Sequence, residues 1–352
     1  MKTKSFFLIL ILGFLGCTPK TIKKTSDLQT IHSDSSAIIQ QKIKTDDSLL
    51  ANIDSKVANL IRKKSNLMDI PDSNFVAMDW SNSVEIVIIK EEGVGQHPKV
   101  DVSVPQDYVL VGGGAVVLEQ IAPGALLTAS FPDNNLLTWH AASKDHDTPF
   151  PHTLVGYAIG LKLKGLDRDE LKKYIRFFTN TSGMTQYPET NVSVGSGYNL
   201  IGGGAQVNWS GEGNLLVKSI PQGNTWYVKG KEHGKPSPAS VTAYAIGIKE
   251  IIPNFGSLEI NQESKSEVVQ TGFGIVSLNI DNDWVVTCPG AEATYSKEGR
   301  LLCGIEPGFR EVTAISKDHE KQDAGSTFAY AIKIRKSKDS GSPTGNSGTP
   351  GK

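Results

Sequence analysis

The spacing of apolar residues changes three times along the chain. A run from Phe6 to Leu15 is apolar throughout and follows Lys2 and Lys4. A basic start and a short apolar stretch ending on Gly16 predict a signal peptide over residues 1–16. The run is shorter than the ~20 residues a membrane-spanning helix needs. Residues 18–36 are polar and rich in Lys and Ser, which predicts a flexible tether over 17–38. From Ile39 the apolar steps alternate between four and three. Ile39, Ile43, Leu50, Ile53, Val57, Leu60 and Leu67 fall on one seam, interrupted by Asp46 and Lys64. That heptad pattern predicts a helix over 39–70, as a coiled-coil spacer ~40 Å tall. Because Leu49 and Ile61 widen the stripe, a single packed amphipathic helix stays open as well. Ile70-Pro71 stops it, since proline disfavours helix at the residue before it.

Beyond residue 84 the period falls to two. Tyr157, Ile159 and Leu161 alternate with Ala158, Gly160 and Lys162, the signature of a strand with one buried face. The first set is expected to point inward and the small residues outward. Further strands are expected at 84–90, 100–104, 108–118, 126–131 and 139–143. The set then recurs. Val109-Leu-Val-Gly-Gly-Gly-Ala115 returns as Asn199-Leu-Ile-Gly-Gly-Gly-Ala205 and as Val285-Val-Thr-Cys-Pro-Gly-Ala291. Leu126-Leu127, Lys144-Asp145-His146 and Tyr157-Ala-Ile159 each have two later counterparts in the same order, about 86–90 residues apart. Such regularity marks an internal repeat, with units at 84–164, 174–249 and 259–335. The fold class is therefore all-β: three tandem antiparallel units of ~85 residues after a helical spacer. They are either separate sandwich-like modules or one pseudo-threefold body. Residues 337–352 read as a disordered tail of Ser, Gly, Pro and Thr.

The segment Phe14-Leu15-Gly16-Cys17 resembles the lipobox of bacterial lipoproteins. The resemblance covers ~20 residues and departs from the family pattern at Phe14 and Leu15. It implies cleavage before Cys17, a diacylglycerol on its sulfur, and a lipid-anchored place in the cell envelope, at the outer membrane or cell surface. Cys288 and Cys303 would then sit in a compartment where disulfides persist. A bridge between them is favoured over two buried thiols. Charge adds an exclusion: 36 Lys and Arg against 37 Asp and Glu leave a net charge of −1, without the basic footprint of a nucleic-acid binder. The 35 glycines and 17 prolines suit a turn-rich β fold.

The glycine run lacks the Lys and the following helix of a phosphate loop. Buried parity shifts by one across it, from Tyr108 and Leu110 to Ala115 and Val117, which predicts a β-bulge. Trp139 and Trp226 align with Val312 on an apolar face and read as core. The opposite face carries His140 and Lys144 in the first unit and Tyr227, Lys229 and Lys231 in the second. With Trp209, these are the candidate ligand contacts. The sharpest polar signal is the triplet Lys144-Asp145-His146, Lys231-Glu232-His233, Lys317-Asp318-His319. Asp or Glu beside His suits general-base work or metal binding. Recurrence in every unit favours a structural role instead, with the carboxylate accepting backbone N–H groups.

The expected function is binding or scaffolding at the envelope, with glycan or surface-protein adhesion foremost. No catalytic residue, metal or cofactor is expected. Partners are the membrane, through the lipid, and a second copy through residues 39–67. The alternative is a metal-dependent hydrolase of envelope polymers using His140, His146, Asp147 and His152 of the first unit.

Overall fold

A computed structural model describes residues 75–120 and 124–338. The signal peptide, Cys17, the tether, the helical spacer and residues 339–352 lie outside the described residues. The described chain is predominantly antiparallel β. The first unit supplies β2 (Val84–Gly95), β3 (Lys99–Ser103), β4 (Val109–Val117), β5 (Leu126–Pro132), β6 (Thr138–Lys144) and β7 (His152–Leu163), preceded by β1 (Phe75–Met78). The second supplies β8 (Ile175–Thr181), β9 (Glu189–Ser193), β10 (Asn199–Asn208), β11 (Leu215–Gln222), β12 (Thr225–Lys231) and β13 (Ser240–Ile248). After the short β14 (Ile251–Ile252), the third supplies β15 (Gly256–Val269), β16 (Phe273–Asn279), β17 (Val285–Ala293), β18 (Arg300–Pro307), β19 (Glu311–Asp318) and β20 (Gly325–Lys336).

Each unit is split between two sheets, and each sheet is shared by two units. The three orders are β1-β2-β7-β4-β18-β19-β16, β3-β6-β5-β10-β13-β8 and β14-β15-β20-β17-β11-β12-β9. The seams are short: Ala115 faces Ile305, Ala205 faces Ser130, and Ala291 faces Ser219. Unit one thus joins two, two joins three, and three returns to one. A unit is a two-layer sandwich, and the trio closes into a ring through shared sheets.

The bulges fall at Val111, Ile201 and Thr287, between the paired residues Leu110/Gly112, Leu200/Gly202 and Val286/Cys288. Each position of the glycine run then meets a different neighbour. A Cβ on Gly112 would lie 2.0 Å from the Thr287 carbonyl, and one on Gly202 1.8 Å from the Val111 carbonyl. The third counterpart, Cys288, directs Sγ to the Gly203 carbonyl at 3.3 Å. The three bulged strands therefore converge at the centre of the ring. Gly113 and Gly203 lie under the indoles of Trp139 and Trp226, where a Cβ would come within 2.4 and 2.3 Å. Their counterpart in the third unit is Pro289, and the Trp counterpart there is Val312. Gly114 and Gly204 press on the carbonyls of Ile305 and Ser130 across the seams. Leu126, Leu215 and Leu301, one per unit, form a separate apolar cluster with Val217.

Two expectations need correction. The small face of the last strand is buried. Ala158, Ala245 and Ala331 are fully covered, and a Cβ on Gly156 would meet Val100, Val102 and Ala141 of the opposing layer at 3.0–3.3 Å. Tyr244 and Tyr330, on the face expected to be inside, are only half-buried. Alternation fails as a guide because these strands are covered on both faces. The expected disulfide is also absent, and Cys288 and Cys303 are buried and not joined to each other. Consecutive strands β17 and β18 enter different sheets, so they are not the hydrogen-bonded neighbours that the sequence suggested. Cys303 is the bulged residue of β18. Between units one and two, Arg168–Lys172 forms a short helix, α1, closed by a capping box of Asp167 and Glu170. The Asp-x-x-Glu signal for it is visible in the sequence.

Candidate functional site at the junction of the three units

The recurring triplets close β6, β12 and β19, and all three meet at the junction of the units. Each lysine reaches into the next unit. Lys144 Nζ donates to the Glu212 carbonyl, Lys231 Nζ to that of Glu298, and Lys317 Nζ to that of Gly124. All three lysines are buried. Lys144 also lies 4.2 Å from the Trp209 ring centre and Lys231 3.9 Å from that of Tyr295, within cation–π range. Burial opposes their charge and lowers the Lys231 pKa to about 8. Lys144 and Lys317 shift down for the same reason. These contacts make Lys144 and Lys231 ties between units. Burial removes them, and the Trp209 face beneath Lys144, from the outer ligand-contact surface expected of them.

The carboxylates of the first two units serve the loops that follow their strands, and that of the third serves the β15–β16 turn. Asp145 accepts from Phe150 N at 3.0 Å and from His97 at 2.7 Å. Glu232 accepts from Ser237 N at 2.9 Å. Asp318 accepts from Gly272 N at 2.6 Å and pairs with buried Arg300 at 3.0 Å.

Each histidine opens a tight three-residue turn. Thr148, Lys235 and Lys321 donate their N–H groups back to the carbonyls of His146, His233 and His319 at 2.6–2.7 Å. The central residues Asp147, Gly234 and Glu320 have φ of 59°, 67° and 56°. Only the glycine takes that conformation without cost. The turns aim the three imidazoles at one another. Ring centres stand 5.2 Å apart for His146 and His233, 5.1 Å for His146 and His319, and 4.9 Å for His233 and His319. All three are buried. His233 Nδ1 donates to the Glu298 carbonyl at 2.8 Å, and His146 Nδ1 lies 3.2 Å from His319 Nε2. Burial keeps each ring neutral and lowers each pKa, that of His319 to about 3 with help from its two neighbours.

The other sequence candidates do not join this group. His140 hydrogen-bonds Asp101 at 2.7 Å on the outer face of β6. His152 is buried between Ser143 Oγ at 2.8 Å and the Phe150 carbonyl at 2.9 Å. Asp147 pairs with Lys235. Of the first-unit cluster of the hydrolase alternative, Asp147 stays 3.5 Å from His146 Nδ1, while His140 and His152 lie in two other environments. Tyr227 and Lys229 are half-buried on β12, with Lys229 3.5 Å from Glu189. Reading the units one at a time concealed the imidazole ring. Its signal was the presence of one His per unit at the same register, which a closed trio must bring together.

An open groove of about 700 Å³ lies elsewhere, between units two and three. Asn199, Asn224, Glu250, Asn261, Gln262 and Trp284 help to line it. The sequence matches no family model, and no curated protein matches it.

Proposed function

We propose that this chain is a cell-envelope protein, held at a membrane through lipidated Cys17, that displays the three-unit ring for binding or scaffolding, with glycans or surface proteins as ligands. What favours display is the use made of the recurring polar residues. Lys144, Lys231 and Lys317 each bind a carbonyl of the next unit, and Asp145, Glu232 and Asp318 accept backbone N–H groups. The lysines hold the ring closed and the carboxylates hold loops of their own units.

The groove between units two and three supports the choice of ligand class. Amide and carboxylate side chains along an open groove suit the hydroxyls of a sugar, while the Trp284 ring is buried and covered by Lys333 and Arg335. Two measurements test the reading. Fatty-acid labelling and membrane fractionation of the full chain should show a lipidated membrane protein, and Cys17→Ser should lose both label and retention. The soluble Cys17→Ser chain should bind members of a glycan and surface-protein array, and Glu250→Ala with Asn261→Ala should weaken that binding. An array without hits, or hits indifferent to both changes, would refute the ligand reading.

A further inference from the structure

Three neutral imidazoles carry three N–H donors and three lone pairs, and could satisfy one another in a closed cycle of N–H···N bonds. The ring does not close that way. His233 spends its Nδ1–H on the Glu298 carbonyl, so its Nε2 presents a lone pair, buried and without a partner. Of the three ring-to-ring approaches, only that of His146 Nδ1 to His319 Nε2 is a hydrogen bond. An unpaired buried nitrogen is costly, and an electrophile would satisfy the His233 lone pair.

We propose that His146, His233 and His319, one from each unit, bind a single divalent transition-metal ion of the zinc class at the centre of the ring, with the Glu320 carboxylate as fourth ligand.

Three of the four ligands already lie together, and His146 joins them through its approach to His319. Ligand atoms of His233, His319 and Glu320 all lie within 4.8 Å of one another, and Glu320 Oε1 is 3.8 Å from His319 Nε2. The 3.2 Å between His146 Nδ1 and His319 Nε2 is near the ~3.4 Å edge of a tetrahedron with bonds of ~2.0–2.1 Å. The Glu298 carbonyl fixes the His233 tautomer with Nε2 free, as outer partners of ligating histidines commonly do. Three nitrogens and one carboxylate select zinc, cobalt, nickel or copper over magnesium or calcium, which prefer all-oxygen sets. Asp147, Glu212 and Glu298 add negative charge around the ring. The nearby ammonium groups of Lys144, Lys231 and Lys317 oppose a cation but are tied to carbonyls. Because the ligands come from three units, a bound ion would lock the ring closed. The Glu320 side chain is 38% exposed, so one ligand reaches solvent and gives the ion a way in.

The test uses the full-length Cys17→Ser chain, stripped with a chelator and titrated with Co²⁺ or Zn²⁺ alone. One equivalent of Co²⁺ should produce the intense visible band of a tetrahedral site. Zn²⁺ should displace it and raise the melting temperature, whereas Mg²⁺ and Ca²⁺ should do neither. His233→Gln and His319→Gln should each weaken binding on the order of 100-fold, the upper end of what disturbing even an outer partner costs. X-ray absorption of the Zn²⁺-loaded wild-type chain gives a readout that needs no variant to fold, and three imidazoles in the first shell are expected. Failure to bind one equivalent, a first shell with fewer than three imidazoles, or Co²⁺ affinity unchanged in folded His233→Gln and His319→Gln would each overturn the proposal.

Discussion

The pairing of glycine with tryptophan in units one and two, and of Pro289 with Val312 in unit three, can be tested as a coupling. A Cβ on Gly203 would lie 2.3 Å from Trp226 Cδ2 and 2.5 Å from the Tyr244 carbonyl oxygen. Both are far inside normal contact, and the second neighbour is backbone. Gly203→Ala should therefore cost about 2–3 kcal/mol as overpacking. Trp226 is buried, with its Nε1–H on Ser219 Oγ at 3.1 Å. Trp226→Val leaves a cavity and should cost about 2–4 kcal/mol, somewhat less than truncation to Ala. In the double variant the valine vacates the space that the new methyl needs. The cost should then fall short of the sum of the singles by about 1–2 kcal/mol, the coupling expected of residues in contact. Equilibrium denaturant unfolding at unchanged m-value is the assay. For a body of roughly 260 residues, each kcal/mol corresponds to about 2 °C in melting temperature. Additivity within ~0.5 kcal/mol would mean that the Tyr244 carbonyl alone excludes a side chain at 203, and that Pro289 and Val312 vary independently.

Unreduced Cys17→Ser protein, denatured in the presence of an alkylating agent, should gain two adducts by intact mass, and a bridged form would gain none. Folded protein should react far more slowly, because burial pushes the Cys288 thiol up to about 12 and covers Cys303. Burial also lowers the His152 pKa, while the unfolded chain takes up its proton near the ordinary value of ~6.5. His152 therefore favours folding fully above that pH and progressively less as pH falls through it. The melting temperature should drop more between pH 7.5 and 5 in the parent than in His152→Asn, and equal drops would remove His152 as a cause. The heptads of residues 39–67 should make the Cys17→Ser chain self-associate, and Leu50→Asp with Val57→Asp should return it to monomer. Equal masses by light scattering would leave only the packed-helix reading.

Much of the fold was legible because the repeat supplied three versions of each strand. The bulge could be placed from the change of buried parity between Leu110 and Ala115, since a one-residue insertion is the only local way to exchange faces. Trp139 and Trp226 could be assigned to the core because Val replaces them at 312. Pairing beyond the unit was not legible. Nothing local records that β4 lies beside β18, because the seams rest on Ala115, Ala205 and Ala291, which any strand neighbour would suit. The cysteine error has the same origin. Cys288 and Cys303 are fifteen residues apart on consecutive strands, and in a hairpin they would have been neighbours. In this ring the chain leaves one sheet for the next between them.

Recurrence of His146, His233 and His319 invited the inference that the fold merely needs them, since three separate active sites in one chain would be unusual. That inference assumes that equivalent residues stay apart. When shared sheets close three units into a ring, a residue at the inner end of each unit meets its own counterparts, so one histidine per unit becomes a set of three. The same geometry brings together Leu126, Leu215 and Leu301, where the outcome is an apolar cluster, and Gly112, Gly202 and Cys288, where it is close backbone approach. Leucines at the centre exclude water and glycines let strands touch. The histidine layer leaves the buried Nε2 atoms of His146 and His233 without partners, and it does so beside turns whose central residues, Asp147 and Glu320, hold a backbone conformation that glycine would adopt more easily. Gly234 shows that the turn closes without a carboxylate; Asp147 uses its own to pair with Lys235 of the next unit, whereas the Glu320 carboxylate lies beside His319. Repetition thus explains why the histidines meet, and the departure from it at Glu320 supplies the carboxylate that the proposed ion would use.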